Sequence, residues 1–304
     1  MDLTAVTLTE LRYVVAIAET GHFGRAAAHC HVTQPTLSAQ VRKLEDNLGV
    51  RLFERGKRVR PTPAGERVVE RARAMLAELE ALGDVARGHA EPLVGPLRLG
   101  IIPTLGPYLL PWLLPRLADA FPKLRPVVRE GLTATLVDDL LAHRLDAGLL
   151  ALPLEAPGIV ATPLFREPFW AALPPGHALA GRRRVREADL AGSRLLLLDE
   201  GHCLRDQALA VCGDADGRRD GDDFRATSLE TLRHLVAADL GVTLLPALAL
   251  RAHDGTVTRP LAGAHAGRTI GLAWRRSFPR ADALDALATF VRTTPPPGVR
   301  AIRV

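Results

Sequence analysis

Cysteine is scarce in this chain, whose 304 residues contain only Cys30, Cys203 and Cys212, with no CxxC motif. Uninterrupted apolar runs stay well below the roughly eighteen residues that a membrane span needs, so no membrane association is expected. The N-terminal residues show no basic segment followed by an apolar stretch, so no secretory signal is expected either. We therefore predict a soluble cytoplasmic protein, in which a disulfide is transient rather than structural.

Internal repeats and low-complexity segments are also lacking, and the apolar fraction of 47% is that of an ordinary globular protein. A chain of this length holds two domains or one large one. Its 39 Lys and Arg residues exceed the 34 Asp and Glu residues, and the resulting net charge of +5 weakly favours a polyanionic partner.

Two of the cysteines lie close together in sequence and have basic neighbours. Cys203 is preceded by His202 and followed by Arg205, and cationic neighbours favour the reactive thiolate. Cys212 borders a Gly- and Asp-rich stretch, residues 213–223, that can rearrange at little cost. The pattern favours a redox switch, although two unrelated buried thiols would look the same. Cys30 is interpreted as a small core residue.

The first fifty residues show three helical segments. Apolar residues recur at three- and four-residue steps over 8–19, where Thr7 or Thr9 is a candidate cap, and a short helix follows over 23–28. Residues 31–34 form a turn, and Pro35 suits the first turn of a third helix, Gln34–Leu48. Three helices with a short turn between the last two predict a helix-turn-helix.

The third helix and the segment after it carry side chains suited to DNA. Residues 51–60 form a wing-like hairpin with Gly56 at its bend. Between residues 42 and 60, seven basic side chains stand against three acidic ones, which concentrates most of the net charge of the chain there. A solvated charged surface is the alternative. The predicted contacts are to base edges from Gln34, Thr36, Ser38 and Gln40, and to phosphates from Arg42, Lys43, Arg55, Lys57 and Arg58.

A long helix is predicted from about residue 62 to residue 88. Its apolar stripe, which includes Val68, Met75 and Leu82, is broad enough to pack against a partner helix. Dimerisation through this helix is one interpretation, and packing on its own domain is the other. Prolines and glycine at residues 91–96 mark a domain boundary.

The remaining residues alternate between strand-like and helical patterns, which predicts an α/β domain with a ligand crevice at the strand ends. The predicted strands are 97–101, 127–129, 147–150, 195–198, 242–245 and 269–274. The predicted helices are 105–120, 135–142, 205–211, 229–238 and 282–291.

With these segments in view, the chain resembles the LysR-type transcriptional regulators, in particular their peroxide-sensing members. The resemblance covers about residues 8–275. The motifs that carry it are TQPTLS at 33–38, TPAG at 62–65, IPTLGPYLLP at 102–111, residues 201–208 with Cys212, residues 224–233 and residues 268–272. The Asp-rich stretch 214–223 and the segment beyond residue 280 depart from it.

The resemblance implies an all-α winged helix-turn-helix over 1–62, a linker and dimerisation helix over 63–92, and a two-subdomain α/β regulatory domain over 93–304, similar to periplasmic binding proteins. It also implies a homodimer or homotetramer on double-stranded DNA that works with RNA polymerase and is reduced by glutaredoxin or thioredoxin. It implies a transcriptional activator of oxidative-stress genes with no cofactor and no metal, and not an enzyme.

Carried over residue by residue, the resemblance makes Cys203 the peroxidatic and Cys212 the resolving cysteine. It places Thr104, Thr133, His202, Arg205 and Arg268 around the peroxide. Each of the five has a simpler interpretation: a helix cap for Thr104, a cap or loop residue for Thr133, a solvated loop residue for His202, an Asp206 partner for Arg205 and a carboxylate partner for Arg268.

Helix geometry adds a constraint. If residues 203–212 are helical, the cysteines lie about 13 Å apart along the axis, whereas a disulfide needs Cα atoms within about 7 Å. Oxidation must therefore unwind this helix.

Three other functions compete with peroxide sensing. A regulator of the same family that binds a small metabolite in the crevice keeps the fold and makes the cysteines incidental. A thiol peroxidase with a DNA-binding appendage is disfavoured because no motif for docking a reductant is present. A solute-binding protein is excluded by the helix-turn-helix and by the missing signal.

Overall fold

The computed structural model describes residues 6–54, 56, 58–86, 93–212, 225–252, 254–263 and 266–302. Contacts divide the chain into two compact units. The first consists of residues 1–90 with 142–144, and the second of residues 91–141 and 145–304. None of the described helices is long and apolar enough to cross a membrane.

The first unit is a helical domain with a two-stranded hairpin, as predicted. Its elements are α1 Leu8–Thr20, α2 Phe23–His29, α3 Gln34–Leu48, β1 Phe53–Glu54, β2 Arg60–Pro61 and α4 Pro63–Ala86. The antiparallel pairing of β1 with β2 forms the predicted wing. The third helix has the predicted bounds, and α4 lies within the range predicted for the long helix.

Local capping explains where these helices begin and end. Thr7, rather than Thr9, caps α1: its hydroxyl accepts from the Glu10 backbone N–H, and the Glu10 carboxylate accepts from the Thr7 N–H at 2.8 Å. Gly21 ends α1 in the left-handed conformation at φ 62°. Thr33 caps α3, with Pro35 in its first turn.

The buried carboxylate of Glu45 attaches the start of the wing to α3. Glu45 of α3 is 4% exposed, and its Oε1 accepts the backbone N–H groups of Leu52 at 2.7 Å and Phe53 at 3.3 Å. Its other oxygen accepts from Arg51 at 3.0 Å. Cys30 lies at the C-terminus of α2, where it is partly buried against this core. The core itself contains Val14, Ile17, Ala26, Leu37, Val41, Leu44 and Leu52.

The second unit has a mixed sheet with helices, as the alternating pattern predicted. Its helices are α5 Gly106–Ala120, α6 Thr133–Leu141, α7 Cys203–Cys212, α8 Leu229–Ala237 and α9 Ala281–Thr293. Its strands are β3 Gly95–Ile101, β4 Leu124–Glu130, β5 Ala147–Leu152, β6 Ile159–Leu173, β7 Val185–Arg186, β8 Leu197–Leu198, β9 Arg225–Ala226, β10 Thr243–Pro246, β11 Val257–Ala262, β12 Gly267–Arg275 and β13 Arg300–Ala301.

The sheet runs in the order β4-β3-β5-β12-β6-β11-β7 within the described residues, with β10 and β13 also paired to β6. Strands β3, β4 and β5 are parallel, whereas β12 is antiparallel to both β5 and β6. The short strands β8 and β9 form a separate parallel pair.

Two hydrophobic cores lie in this unit, and β6 contributes to both. The first core is built around β3, α5, α6, β5 and the first half of β6, and includes Leu99, Ile101, Leu109, Leu113, Leu136, Leu149 and Phe165. The second core is built around the end of β6, α7, α8 and β10, and includes Phe169, Leu173, Leu198, Leu204, Leu232 and Leu244. The two cores correspond to the two subdomains that the resemblance implied.

The sequence-based assignment missed the longest strand, β6. Its segment contains Pro163 and Pro168, and proline argues against an interior strand because it lacks an N–H donor. The assignment also missed β7, β9, β11 and β13, and Leu195 makes only an isolated bridge to Val242 rather than belonging to a strand. Helix α7 begins two residues earlier than predicted, at Cys203.

Gly65 provides a test of how the wing is held against α4. A Cβ at this position would lie 1.9 Å from the Leu52 carbonyl oxygen, so the backbone would have to move. We expect Gly65→Ala to lower the free energy of unfolding, measured by urea denaturation, by about 1–3 kcal/mol. The same variant should also bind DNA more weakly. Gly56→Ala is the matched control, because a Cβ there meets only an ordinary contact at 3.8 Å. Equal stability of the two variants would contradict this account.

Candidate functional site

Cys203 is the first residue of α7 and lies where the two cores meet. The helix is held to the second core by Leu204, Ala208 and Val211, which are 2–5% exposed. The Cys203 side chain instead packs against the first core. Gly201, two residues before Cys203, has φ 88°, a backbone conformation that favours glycine at this turn. The thiol is therefore placed between the two halves of the second unit.

Arg268 of β12 places its charge near this thiol, and its guanidinium donates three hydrogen bonds to described residues. Its Nε donates to Glu167 Oε2 at 2.9 Å, and both side chains are 0% exposed. Its Nη1 donates to the Thr104 hydroxyl at 2.8 Å and its Nη2 to the Thr104 carbonyl oxygen at 3.0 Å. The second Glu167 oxygen accepts the Leu248 backbone N–H at 2.9 Å. These bonds fix the orientation of Arg268 and the Thr104 hydroxyl together.

Thr133, the first residue of α6, supplies a second hydroxyl. Its Oγ1 is buried and makes no hydrogen bond to a described residue in the thiol form. It is nevertheless placed to hydrogen bond to the Cys203 sulphur once that sulphur is charged, which lowers the pKa of the thiol. An unpaired buried hydroxyl costs free energy, so this group is suited to a polar ligand or to the thiolate.

The thiol itself is not activated in the way that its sequence neighbours suggested. Burial raises the pKa of Cys203 above that of an ordinary cysteine, and the charge of Arg268 and the Thr133 hydroxyl only partly oppose that effect. The cation that favours the thiolate is thus Arg268, from a distant strand. The prediction that adjacent cationic residues activate the thiolate is wrong.

His202 and Arg205 lie beside the thiol in different environments. His202 is 8% exposed, and burial lowers its pKa while nearby Asp199 opposes the shift, so the imidazole is neutral at neutral pH. Arg205 Nη1 donates to the Leu198 carbonyl oxygen at 3.0 Å, which ties the first turn of α7 to β8. The solvated-loop interpretation of His202 and the Asp206 pairing of Arg205 are therefore wrong.

The simpler interpretations of Thr104 and Thr133 are wrong, whereas that of Arg268 is confirmed. Thr104 does not cap α5, whose N-cap is Leu105 with no side-chain hydrogen bond. Thr133 lies inside the first turn of α6 rather than at a cap or in a loop. Arg268 does pair with a carboxylate, and it contacts Thr104 as well. Thr104, Thr133, Arg268 and Cys203 are thus brought together.

Glu167 is the site residue that the sequence-based prediction missed. It lies on β6 two residues from both Phe165 and Phe169, all three of them buried. Side chains at two-residue spacing share one face of a strand. A carboxylate between two apolar side chains of the same face therefore indicates a buried charge, and this pattern could have identified Glu167. Because β6 itself was not recognised, that signal was not used.

Helix α7 extends from Cys203 to Cys212. The condition stated from the sequence, that residues 203–212 are helical, is therefore met. The Cys212 side chain lies outside the described residues. The nine-residue spacing on a continuous helix separates the two Cα atoms by about 13 Å along the axis, too far for a disulfide. A bond between these cysteines requires α7 to unwind.

Most of the predicted DNA-binding residues that the structure describes are exposed. Gln34, Thr36 and Arg42 of α3 are exposed, and so is Arg58 of the wing, whereas Ser38 and Gln40 are half-buried. Lys43 is exposed but forms an ion pair at 3.5 Å with the buried Glu10. Arg55 and Lys57 lie outside the described residues.

Two family models match the two units. Residues 8–66 match the model described as bacterial regulatory helix-turn-helix protein, lysR family, and residues 90–295 match the LysR substrate binding domain. The chain belongs to the LysR family of transcriptional regulators. It is accordingly a DNA-binding regulator and not an enzyme, and its α/β unit is the regulatory domain of that family.

Named members of this family are similar over nearly the whole chain. The DNA-binding transcriptional dual regulator OxyR of Escherichia coli K12 is 47% identical over 291 residues, covering 94% of this chain and 95% of the relative. A full-length cysteine-to-aspartate variant of Pseudomonas aeruginosa OxyR superposes with a TM-score of 0.81 at 42% identity, covering 94% and 95%. A hydrogen peroxide-bound cysteine-to-serine variant of Corynebacterium glutamicum OxyR gives 0.62 at 38% identity, covering 94% and 91%.

The raised pKa of Cys203 predicts how its reactivity depends on pH. The thiolate is the minor form at neutral pH and increases as the pH rises, so the rate of Cys203 alkylation by iodoacetamide should still be rising above the midpoint of an ordinary cysteine. Thr133→Val keeps the volume but removes the hydroxyl, and should reduce the rate at neutral pH about three- to tenfold.

Peptide mapping by mass spectrometry measures this rate separately from those of the other cysteines. Thr289→Val, the same exchange at an exposed position of α9, should leave the rate unchanged. A midpoint at or below that of a free cysteine would contradict the role assigned to burial.

Proposed function

We propose that this chain is a DNA-binding transcriptional regulator that senses hydrogen peroxide through a reversible Cys203–Cys212 disulfide and controls antioxidant genes. The observation that carries the proposal is the cluster of polar side chains around one thiol. Arg268 and the Thr104 hydroxyl are fixed by mutual hydrogen bonds, and the buried Thr133 hydroxyl is left to bind a small polar oxidant or the thiolate. The peroxide-bound C. glutamicum relative supports the same oxidant.

The chemistry has two steps. The Cys203 thiolate attacks one peroxide oxygen, the O–O bond breaks, and the leaving hydroxide takes a proton to become water, which gives a sulfenic acid. The Cys212 thiol then attacks the Cys203 sulphur, so that an S–S bond forms and a second water leaves. The hydroxyls of Thr104 and Thr133 orient the peroxide. Arg268 stabilises the thiolate and the leaving oxygen, and His202 and Arg205 line the pocket.

The disulfide step is coupled to unwinding of α7. Cys203 leaves the first core, and the contacts of Leu204, Ala208 and Val211 with the second core are disturbed. Closing a ten-residue loop constrains the unfolded segment by about 3 kcal/mol in the chain-entropy model, which is enough to shift a two-state equilibrium substantially. Reduction by glutaredoxin or thioredoxin restores the helix.

The assembly that carries this signal to DNA is also part of the proposal. The domain boundaries are 1–62 for the winged helix-turn-helix, 63–92 for the linker helix and 93–304 for the regulatory domain. Met75 and Leu82 of α4 are 55% and 64% exposed, which suits dimerisation through this helix. A homodimer or homotetramer in the cytoplasm binds double-stranded DNA and contacts RNA polymerase. Oxidation alters the contacts between regulatory domains and thereby the spacing of the recognition helices.

The first test is the mass of the intact reduced protein before and after one equivalent of hydrogen peroxide. We expect the loss of two hydrogen atoms, mapped to a peptide pair that joins Cys203 to Cys212. Cys203→Ser should show no loss, whereas Cys30→Ser should behave like the parent. An unchanged parent at this dose would exclude the peroxide switch and favour a family member that binds a small metabolite in the crevice.

A second test separates DNA binding from thiol chemistry. Arg42→Ala should weaken binding to a duplex selected from random sequence and reduce the slope of log K against log salt by about 1, since it removes one phosphate contact. Gln40→Ala should cost about 1–3 kcal/mol and relax the base preference.

Disulfide formation with peroxide should be unaffected in both variants. Arg300→Ala is the charge-matched control in the second unit, where the arginine is exposed, and should retain the parent's salt slope. Loss of peroxide reactivity in either α3 variant would contradict the separation of the two functions.

A further inference from the structure

Tyr108 connects the two cores of the regulatory domain, as Cys203 does. Tyr108 lies on α5, where its neighbours Leu109 and Leu113 belong to the first core. Its own ring packs against the second core. For Cys203 the two cores are exchanged: its helix, α7, belongs to the second core, and its thiol packs against the first. The two side chains therefore link the halves of the regulatory domain at two separate points.

The Tyr108 hydroxyl makes one hydrogen bond across this boundary. It donates to Glu230 Oε1 at 3.0 Å, and Glu230 lies in the first turn of α8. Burial, followed by the charge of Glu230, raises the pKa of Tyr108 to about 12. The phenol consequently stays protonated and remains a donor wherever the protein is folded.

The acceptor is held in place by arginines. Arg233, which is 2% exposed, lies 3.6 Å from Glu230 Oε1, and Arg251 lies 3.4 Å from Oε2. Arg233 is itself fixed by Asp254 at 2.5 Å and by the Ala249 carbonyl oxygen. Because both oxygens of Glu230 have cationic partners on its own side of the boundary, the carboxylate presents a fixed acceptor to Tyr108.

One end of this bond is connected to the thiol pocket by a short stretch of backbone, and the other end by a strand pairing and a hydrogen bond. On one side, α5 begins two residues after Thr104, the partner of Arg268. On the other side, α8 follows β9, and β9 pairs with β8, whose Leu198 carbonyl oxygen holds Arg205 of α7. The bond thus joins the segment that carries a peroxide-binding hydroxyl to the segment that carries the thiol.

We propose that the Tyr108–Glu230 hydrogen bond is a clasp between the two subdomains that positions Thr104 and Arg268 against Cys203, which makes Tyr108 and Glu230 positioning residues for the reaction with peroxide. The inference rests on the proposed function. It concerns how the pocket is assembled and not which group reacts, because the described hydrogen bonds and ion pairs of the two residues go to each other and to arginines rather than to the thiol.

The test compares two reactions of the same thiol in the full-length protein. Tyr108→Phe removes the hydroxyl and keeps the ring. Reaction with hydrogen peroxide needs Thr104 and Arg268 in register with Cys203, so its rate constant should fall about tenfold, the effect of one hydrogen bond to a charged acceptor. Alkylation of Cys203 by iodoacetamide needs the thiolate, which Arg268 favours, but not the Thr104 hydroxyl, so its rate should fall clearly less than the peroxide rate.

Glu230 variants separate the hydrogen bond from the charge. Glu230→Gln keeps an oxygen acceptor for Tyr108 and should retain most of the peroxide rate. Glu230→Leu removes the acceptor and should match Tyr108→Phe, and the double variant Tyr108→Phe/Glu230→Leu should be no slower than either single variant. Tyr13→Phe, at the other tyrosine of the chain, buried in the first unit, is the matched control and should react like the parent.

The outcomes distinguish the clasp from the proposed function. If the parent forms no Cys203 sulfenic acid or disulfide with peroxide, the proposed function fails. If the parent reacts and Tyr108→Phe reacts within twofold of it, the clasp is overturned. An equal change in the peroxide and alkylation rates would also overturn it, because that result indicates a general distortion of α7. A selective loss of the peroxide rate, with rescue in Glu230→Gln, supports it.

Discussion

The ion pair between Glu167 and Arg268 is the interaction on which the pocket depends. The two residues face each other across the antiparallel strands β6 and β12, and neither side chain is exposed. Breaking such a pair by removing one partner leaves an uncompensated buried charge, at a cost of about 3–5 kcal/mol. From this anchor the guanidinium reaches both polar atoms of Thr104. The position of the Thr104 hydroxyl is thus set by the register of two strands far from it in sequence.

The sequence was most informative where structure is determined by neighbouring residues. The bounds of α3 were predicted with the help of Pro35, and the structure shows that Thr33 and Gly49 also define its ends locally. The family resemblance brought Thr104, Thr133, Arg268 and Cys203 into one site. The structure shows that these four residues do lie together.

What the sequence could not provide depends on contacts between distant residues. The Arg268–Glu167 pair joins residues 101 positions apart, and the Tyr108–Glu230 bond joins residues 122 apart. The prolines of β6 concealed the strand that carries Glu167. The raised pKa of Cys203 reverses the expectation from its basic neighbours, because burial is a property of the fold and not of the residues adjacent in sequence.

The magnitudes at α7 explain how a disulfide there can be reversible. Unwinding the helix exposes part of Leu204, Ala208 and Val211, and fully burying one leucine or valine contributes about 1.5–3 kcal/mol. The constraint that a disulfide adds over this loop is about 3 kcal/mol. Both effects disfavour the disulfide form, so reduction of the S–S bond allows the helix to form again.

Burial of the Cys203 thiol also has a consequence for selectivity. Exchange with small disulfides proceeds through the thiolate, and a thiol kept protonated by an apolar environment takes part in it slowly. Such a cysteine equilibrates poorly with the general thiol pool, whatever the potential of that pool. Under the proposed function it responds instead to a molecule small enough to enter the pocket and to be held by the hydroxyls of Thr104 and Thr133 and by Arg268. Its oxidation then records encounters with such an oxidant rather than the average redox state of the cell.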